Sequence, residues 1–233
     1  MQDNDSFKDK VDKYWINRVD NDVYACPNVS LFRLIGSVVG KSLFDKKILE
    51  VGFGYGADLI ECKRRLADVV GLDLNKNFVD TVKEISNCDV RQFRAGVDTI
   101  PFEQKFDLIY SNDTIYYLSD NELEHFLRQC ALALKKDGKL IVSFIETDLR
   151  KKDQHLIISE DFELNFLNKF EQFCITEREN PIRFLSADAV IAIAENCGLA
   201  LIAVKKLLES YDLQEAEIRV NKYVVFQPYD ALD

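Results

Sequence analysis

Residues 48–59 read "ILEVGFGYGADL", and no other stretch constrains the fold as strongly. An apolar run from Ile48 to Val51, broken only by Glu50, meets three glycines at alternate positions, and a helix-like segment follows. A strand that is apolar on both faces belongs inside a parallel sheet, where helices cover it from both sides. Gly52, Gly54 and Gly56 let the chain turn tightly and let a ligand lie against bare backbone. The helix that follows offers free N–H groups at its N-terminus. The glycines alone leave the ligand open, since Gly52, Gly54 and Ala57 also satisfy the looser dinucleotide pattern G-x-G-x-x-G/A. A P-loop is excluded, because no G-K-[ST] follows.

The same cadence runs on for a hundred residues. "VVGLDL" predicts a second strand and "NKNFVDTVKEIS" a second helix, with Asn75 as its N-cap. "VRQFRAG" and "FDLIYSN" predict the third and fourth strands. "SDNELEHFLRQCALALKKDG" predicts a helix opened by Ser119 and closed by Gly138, and "KLIVSFIE" a fifth strand. Strand and helix alternating at this spacing imply parallel βαβ units, whose ligands bind beyond the carboxyl ends of the strands. "SADAVIAIAENCG" adds a helix, and "LALIAVKKL" and "NKYVVFQPY" add two strands.

A single domain in four parts is expected. Residues 1–45 form an N-terminal helical cap, in which "PNVSLFRLIGSVVGKSLF" is an amphipathic helix. Residues 46–145 are the ligand-binding core, 146–185 a lid or substrate wall, and 186–233 the completion of the sheet. A formal charge of −10 argues against nucleic acid as a partner, since phosphate binding needs clustered Lys and Arg. The first twenty residues hold no apolar h-region, and no apolar run nears eighteen residues. Six cysteines, never closer than 23 residues, leave no C-x-x-C pair and read as buried thiols. With only His125 and His155 available, no metal is expected. A cytoplasmic protein fits these bounds.

Three features separate the remaining ligands. Glu50 precedes the first glycine by two residues, giving E-x-G-x-G-x-G; a carboxylate there favours a cationic ligand over a pyrophosphate. Asp73 ends the second strand, where its two oxygens can accept both ribose hydroxyls. "IPFEQKFDLIYSNDTIYYL" and "LALKKDGKLIVSF" then follow in order. Over residues 45–145 this series resembles the class I S-adenosylmethionine-dependent methyltransferases of the small-molecule group.

The resemblance implies an α/β fold: a Rossmann-like, seven-stranded, mostly parallel sheet with helices on both faces and an antiparallel final strand. It implies S-adenosyl-L-methionine as cofactor. Gly52, Phe53, Gly54 and Gly56 would lie under its methionine part, with Glu50 toward its ammonium. Asp73 would take the ribose, with Leu74 and Asn75 beside the adenosine. The family's adenine-binding acid is replaced by Gly96, leaving Val97 or Asp98 to serve. Asn112 and Asp113 would lie near the transferring methyl, and Ile115 and Tyr116 would wall the cofactor. Asp113 and Glu146 are the candidate bases, with Asp148 and His125 behind them; Tyr116-Tyr117 stands where relatives often carry Glu-His. The acceptor pocket would draw on Tyr14, Trp15, Arg18, Phe144, Arg178 and Arg183, and its arginines suit an anionic or phosphorylated metabolite or sugar. "NDTI" in place of [DN]-P-P-[YF] argues against an amino-methylating DNA enzyme. The competing readings are a non-catalytic cofactor-binding protein of this fold and an NAD(P)-dependent oxidoreductase.

Overall fold

The structure is a computed structural model that describes residues 14–16, 26–145, 185–212 and 217–229. After a helical stretch at 14–16 come helix α1 (Val29–Val38), strand β1 (Lys47–Val51), α2 (Ala57–Arg64), β2 (Asp68–Asp73) and α3 (Lys76–Ser86). Strands β3 (Asp89–Gln92) and β4 (Phe106–Ser111) follow, then a 3₁₀ turn at Ile115–Tyr117, α4 (Asp120–Ala133) and β5 (Leu134–Ile145). Helix α5 (Ala187–Asn196) and the strands β6 (Leu199–Asp212) and β7 (Glu217–Pro228) complete the order. The seven strands make one sheet, ordered β3-β2-β1-β4-β5-β7-β6. The first five are parallel, and β7 runs antiparallel to both β5 and β6.

Local sequence explains most boundaries. Asn75 caps α3 by accepting from Asn77 N, and Asn28 caps α1 by accepting from Leu31 N at 3.0 Å. Ser119 and Glu122 form a full capping box at the start of α4. One boundary differs from expectation. Helix α4 stops at Ala133, and Gly138 lies inside β5 instead of closing the helix. Phe106 pairs with Leu134 but Leu108 pairs with Lys139, so the "KKDG" segment bulges out of register with β4. A Cβ on Gly138 would come within 2.7 Å of the Phe106 carbonyl oxygen, which explains the glycine there.

Two cores flank the sheet. On one face α1, α2 and α3 bury Leu31, Ile35, Leu59, Phe78 and Val82 against Ile48, Leu108 and Tyr223. On the other, α4 and α5 bury Leu123, Phe126, Leu127 and Val190 against Leu49, Ile109 and Phe226. The chain winds outward from β1 in one direction and from β4 in the other, so these two neighbours bracket the switch point. In sheets of this kind the ligand crevice lies at that point, beyond the strands' carboxyl ends. Among the described residues five cysteines are free, four of them buried as expected, while Cys26 is exposed. No helix among the described residues is long and apolar enough to cross a membrane, and no cluster of metal-ligating side chains occurs among them.

Candidate functional site

The glycine turn sits at the crevice. All three glycines have positive φ: +78° at Gly52, +53° at Gly54 and +75° at Gly56. Packing adds a second demand at two of them. A Cβ on Gly52 would fall 2.0 Å from Thr114 Oγ1, and one on Gly56 would fall 2.7 Å from Val82 Cγ2. Gly54 has nothing within 4 Å, so its bare backbone faces open space. That opening is the cradle a close-lying ligand requires. Phe53 turns its ring into the core beside Gly71, which leaves only its backbone at the turn.

Four carboxylates gather around this opening. Asp73 is buried; its Oδ2 accepts from Gly54 N and its Oδ1 from Asn75 N, both at 2.8 Å. One side chain thereby ties the glycine turn to the start of α3. Burial raises its pKa from 3.8 to about 6 despite those bonds. Glu50 is also buried, and its Oε2 accepts from the Tyr110 hydroxyl at 2.8 Å. Its pKa is held well above the usual carboxylate range, first by burial and then by the neighbouring charge of Asp58. Asp58, in the first turn of α2, accepts from Asn28 N at 2.7 Å, and burial lifts it to about 6. Asp113, just past β4, adds a further like charge beside Asp58 and itself holds a φ of +54°. No described Lys or Arg pairs with Glu50, Asp58 or Asp73. Buried carboxylates left facing one another make a site whose charge a cationic ligand would relieve.

A polar network continues from Asp113 across β5 and β7. Asp113 N donates to Ser143 Oγ at 2.9 Å, and Ser143 Oγ donates to Asn112 Oδ1 at 2.6 Å. Asn112 Oδ1 also accepts from the Tyr223 hydroxyl at 3.0 Å, and that hydroxyl accepts from Asn28 Nδ2 at 3.2 Å. Sequence reasoning missed Asn28, Asp58, Tyr110, Ser143 and Tyr223. An acid in the first turn after the glycines was the one local signal available, for Asp58.

The helical stretch at 14–16 lies over the other rim. Asn75 Nδ2 donates to the Trp15 carbonyl at 2.6 Å, and the Trp15 ring meets Tyr117 edge-on with centroids 5.4 Å apart. Tyr14 packs edge-on against Trp15 at 5.1 Å. Leu74 is half-buried, and its carbonyl accepts from Gln92 Nε2 at 3.1 Å. Ile115 and Tyr116 are buried in the α4-side core.

The loop after β3 explains the missing acid. Gly96 has φ +78°, and a Cβ there would lie 2.5 Å from Glu122 Cβ and 2.8 Å from Glu122 O. Helix α4 therefore leaves no room for a side chain. Val97 is exposed, and Asp98 folds back to accept from Arg94 N at 2.7 Å. His125 Nε2 stands 3.4 Å from the Asp98 carbonyl on the same side. Phe144, expected on the acceptor wall, is wholly buried in the core. Arg18, Glu146, Asp148, Arg178 and Arg183 lie outside the described residues.

Residues 48–138 match the family model described as a methyltransferase domain. The chain is 23% identical over 196 residues to the ubiquinone biosynthesis O-methyltransferase of Coxiella burnetii, covering 79% of this chain and 78% of that protein. It is 32% identical over 103 residues to phosphoethanolamine N-methyltransferase 1 of Arabidopsis thaliana, covering 42% of this chain and 21% of that protein. In fold it is similar to a TehB-like SAM-dependent methyltransferase from Corynebacterium glutamicum, with a TM-score of 0.59, 21% identity and coverage of 97% and 100%. Residues 48–138 are thus a methyltransferase domain, and the chain is similar in sequence and in fold to methyltransferases that use S-adenosylmethionine.

Proposed function

We propose that this methyltransferase transfers the methyl group to an oxygen or nitrogen atom of a small molecule, and that the cofactor lies across the Gly54 turn. The carboxylate cluster at that turn is the observation that carries the reading. When bound, the cofactor supplies an electrophilic methyl on a sulfonium, next to a cationic ammonium group. Gly52, Gly54 and Gly56 present backbone to it, and Asp73 accepts from its ribose hydroxyls beside Leu74. Glu50, pinned by Tyr110, supplies negative charge from beneath the turn, and Asp58 adds more from the rim. Gly96 offers only backbone, so the adenine is held by main-chain groups of Gly96 and Val97 while Asp98 braces the loop. Tyr116 backs the pocket from the core.

The chain's part in the chemistry is alignment and exclusion of water. Positioning of this kind is worth ~7–11 kcal/mol in well-oriented intramolecular reactions. Asp113 takes the proton of a hydroxyl acceptor, and Tyr14 and Trp15 close the rim above Asn75. Glu146, Arg18, Arg178 and Arg183 are proposed to complete the acceptor side, the arginines favouring an anionic or phosphorylated metabolite. The relatives' names span both O- and N-methylation, which supports a small-molecule acceptor of either kind.

Incubation with methyl-labelled S-adenosylmethionine and a set of small metabolites tests the reading. Label is expected in a low-molecular-weight product. Tight cofactor binding with no transfer to any small acceptor would favour a non-catalytic binding protein. Label found only in nucleic acid or protein would overturn the small-molecule assignment.

A further inference from the structure

The hydrogen bonds that converge on Asn112 narrow the acceptor. Asn28 Oδ1 is taken by Leu31 N in capping α1, so the group Asn28 turns to Tyr223 is its Nδ2 donor. The Tyr223 hydroxyl, already accepting, must direct its own proton elsewhere, and Asn112 Oδ1 lies 3.0 Å away. Ser143 Oγ is in the same position. It accepts from Asp113 N at 2.9 Å, and its own proton goes to Asn112 Oδ1 at 2.6 Å in preference to Asp113 Oδ1 at 3.4 Å. Two hydroxyl donors thus converge on the Asn112 amide oxygen. With the amide oxygen turned to both hydroxyls, both of its lone pairs are filled.

What remains of Asn112 is its NH₂ group. No described residue accepts from it, and the residue is only half-buried at the carboxyl end of β4, beside the crevice. Asn112 therefore shows the crevice two donors and no side-chain acceptor.

Resting on the methyltransferase reading above, we infer that Asn112 is a donor-only recognition group for the methyl acceptor. Tyr223 and Ser143 are the positioning residues that lock it, and the acceptor atom is an oxygen. A hydroxyl or carboxylate oxygen has lone pairs to spare: one attacks the methyl group while another accepts from Asn112. For a hydroxyl, the O–C bond forms as the S–C bond breaks, the S–C electron pair stays on sulfur, and the proton passes to Asp113. A neutral amine has one lone pair, which the reaction needs. Its N–H groups would then face those of Asn112, leaving donors opposed in a partly desolvated place.

Matched probes test this: phenol against aniline and benzyl alcohol against benzylamine, with labelled cofactor and products resolved by mass. Wild type is expected to methylate the oxygen member of a pair at least about tenfold faster, the discrimination expected of a site with one mispaired donor. Asn112→Asp replaces the donor with an acceptor and is expected to move the oxygen-to-nitrogen ratio at least about tenfold toward the amine. Tyr223→Phe keeps the buried ring and removes only the hydroxyl. It is expected to lower kcat for the oxygen probe roughly threefold to tenfold with cofactor Kd unchanged, a split that general destabilisation would not produce. A wild type that methylates only amines would overturn this inference while leaving the methyltransferase reading intact. An oxygen-to-nitrogen ratio unmoved in both variants would also overturn it. No transfer to any probe would sink the inference together with the small-molecule reading, whereas cofactor binding measured alongside would still report on the fold's activity class.

Discussion

Replacing Asp73 by Asn separates what this carboxylate does for the fold from what it does for the cofactor. The carboxylate holds Gly54 N on one oxygen and Asn75 N on the other. An amide has a single oxygen, so one of those N–H groups would meet an NH₂ instead, at a cost of roughly 1–3 kcal/mol. Removing the charge acts the other way. Burial raises the Asp73 pKa from 3.8 to about 6. At neutral pH that corresponds to roughly 3 kcal/mol of unfavourable charge burial. That figure is already net of the Gly54 and Asn75 bonds, so the apoprotein should gain stability by at most about 3 kcal/mol.

Cofactor affinity has no such compensation. Losing one charge-assisted bond to a ribose hydroxyl should weaken binding about tenfold to a hundredfold. The pH dependences also run in opposite directions. Between pH 3.8 and about 6 the folded state holds a proton on Asp73 that the unfolded chain has released. The stability tied to that proton is complete below 3.8 and lost as pH rises through 6. Binding needs the ionised carboxylate, so affinity is complete above pH 6 and falls about tenfold per unit below it. Titration calorimetry with S-adenosylhomocysteine from pH 5 to 7.5, on wild type and Asp73→Asn, reads both effects. Asp58 also titrates near 6 and contributes slope to both proteins, so the difference between the curves isolates Asp73. Equal affinities at pH 7.5, or parallel pH profiles, would refute the reasoning.

Three further outcomes follow from the same geometry. Gly54→Ala should reduce cofactor affinity and lower Tm modestly, through the strain of a side chain at φ +53°, whereas Gly52→Ala should lower Tm sharply because its Cβ also meets Thr114 at 2.0 Å; thermal shift with and without cofactor distinguishes them. Gly96→Asp, which restores the acid of the wider family, should destabilise by roughly 1–3 kcal/mol through overpacking against Glu122 and should not improve affinity. Tyr110→Phe strips the donor from buried Glu50 and should cost about 1–3 kcal/mol at neutral pH, measured by urea unfolding.

How much of this could be read in advance depended on how local each cause is. The glycine turn, the Asn75 cap and the Ser119 capping box each depend on neighbours within a few residues, and each was legible. The parallel order followed from the strand–helix alternation. The end of α4 differs from the local pattern because the bulge at "KKDG" answers to β4, nearly thirty residues earlier. The sequence showed that the acid was missing at Gly96. Its reason is contact with Glu122, which no local pattern encodes. Phe144 is an apolar residue near the carboxyl end of β5, and only its packing shows that it belongs to the core. Tyr223 is 111 residues from Asn112 and reads in sequence as one more strand aromatic. The registers of β5 and β7 bring their hydroxyls to the site.

The central claim is that the cofactor lies across Gly54 between Asp73 and Asn112, and a crystal structure with S-adenosylhomocysteine tests it most directly. Both ribose hydroxyls are expected within hydrogen-bond distance of Asp73, with the homocysteine part over the Gly54 turn and the Asn112 NH₂ group still facing the acceptor side. Nucleoside bound away from Asp73, or an Asn112 amide turned to present its oxygen to the crevice, would contradict it.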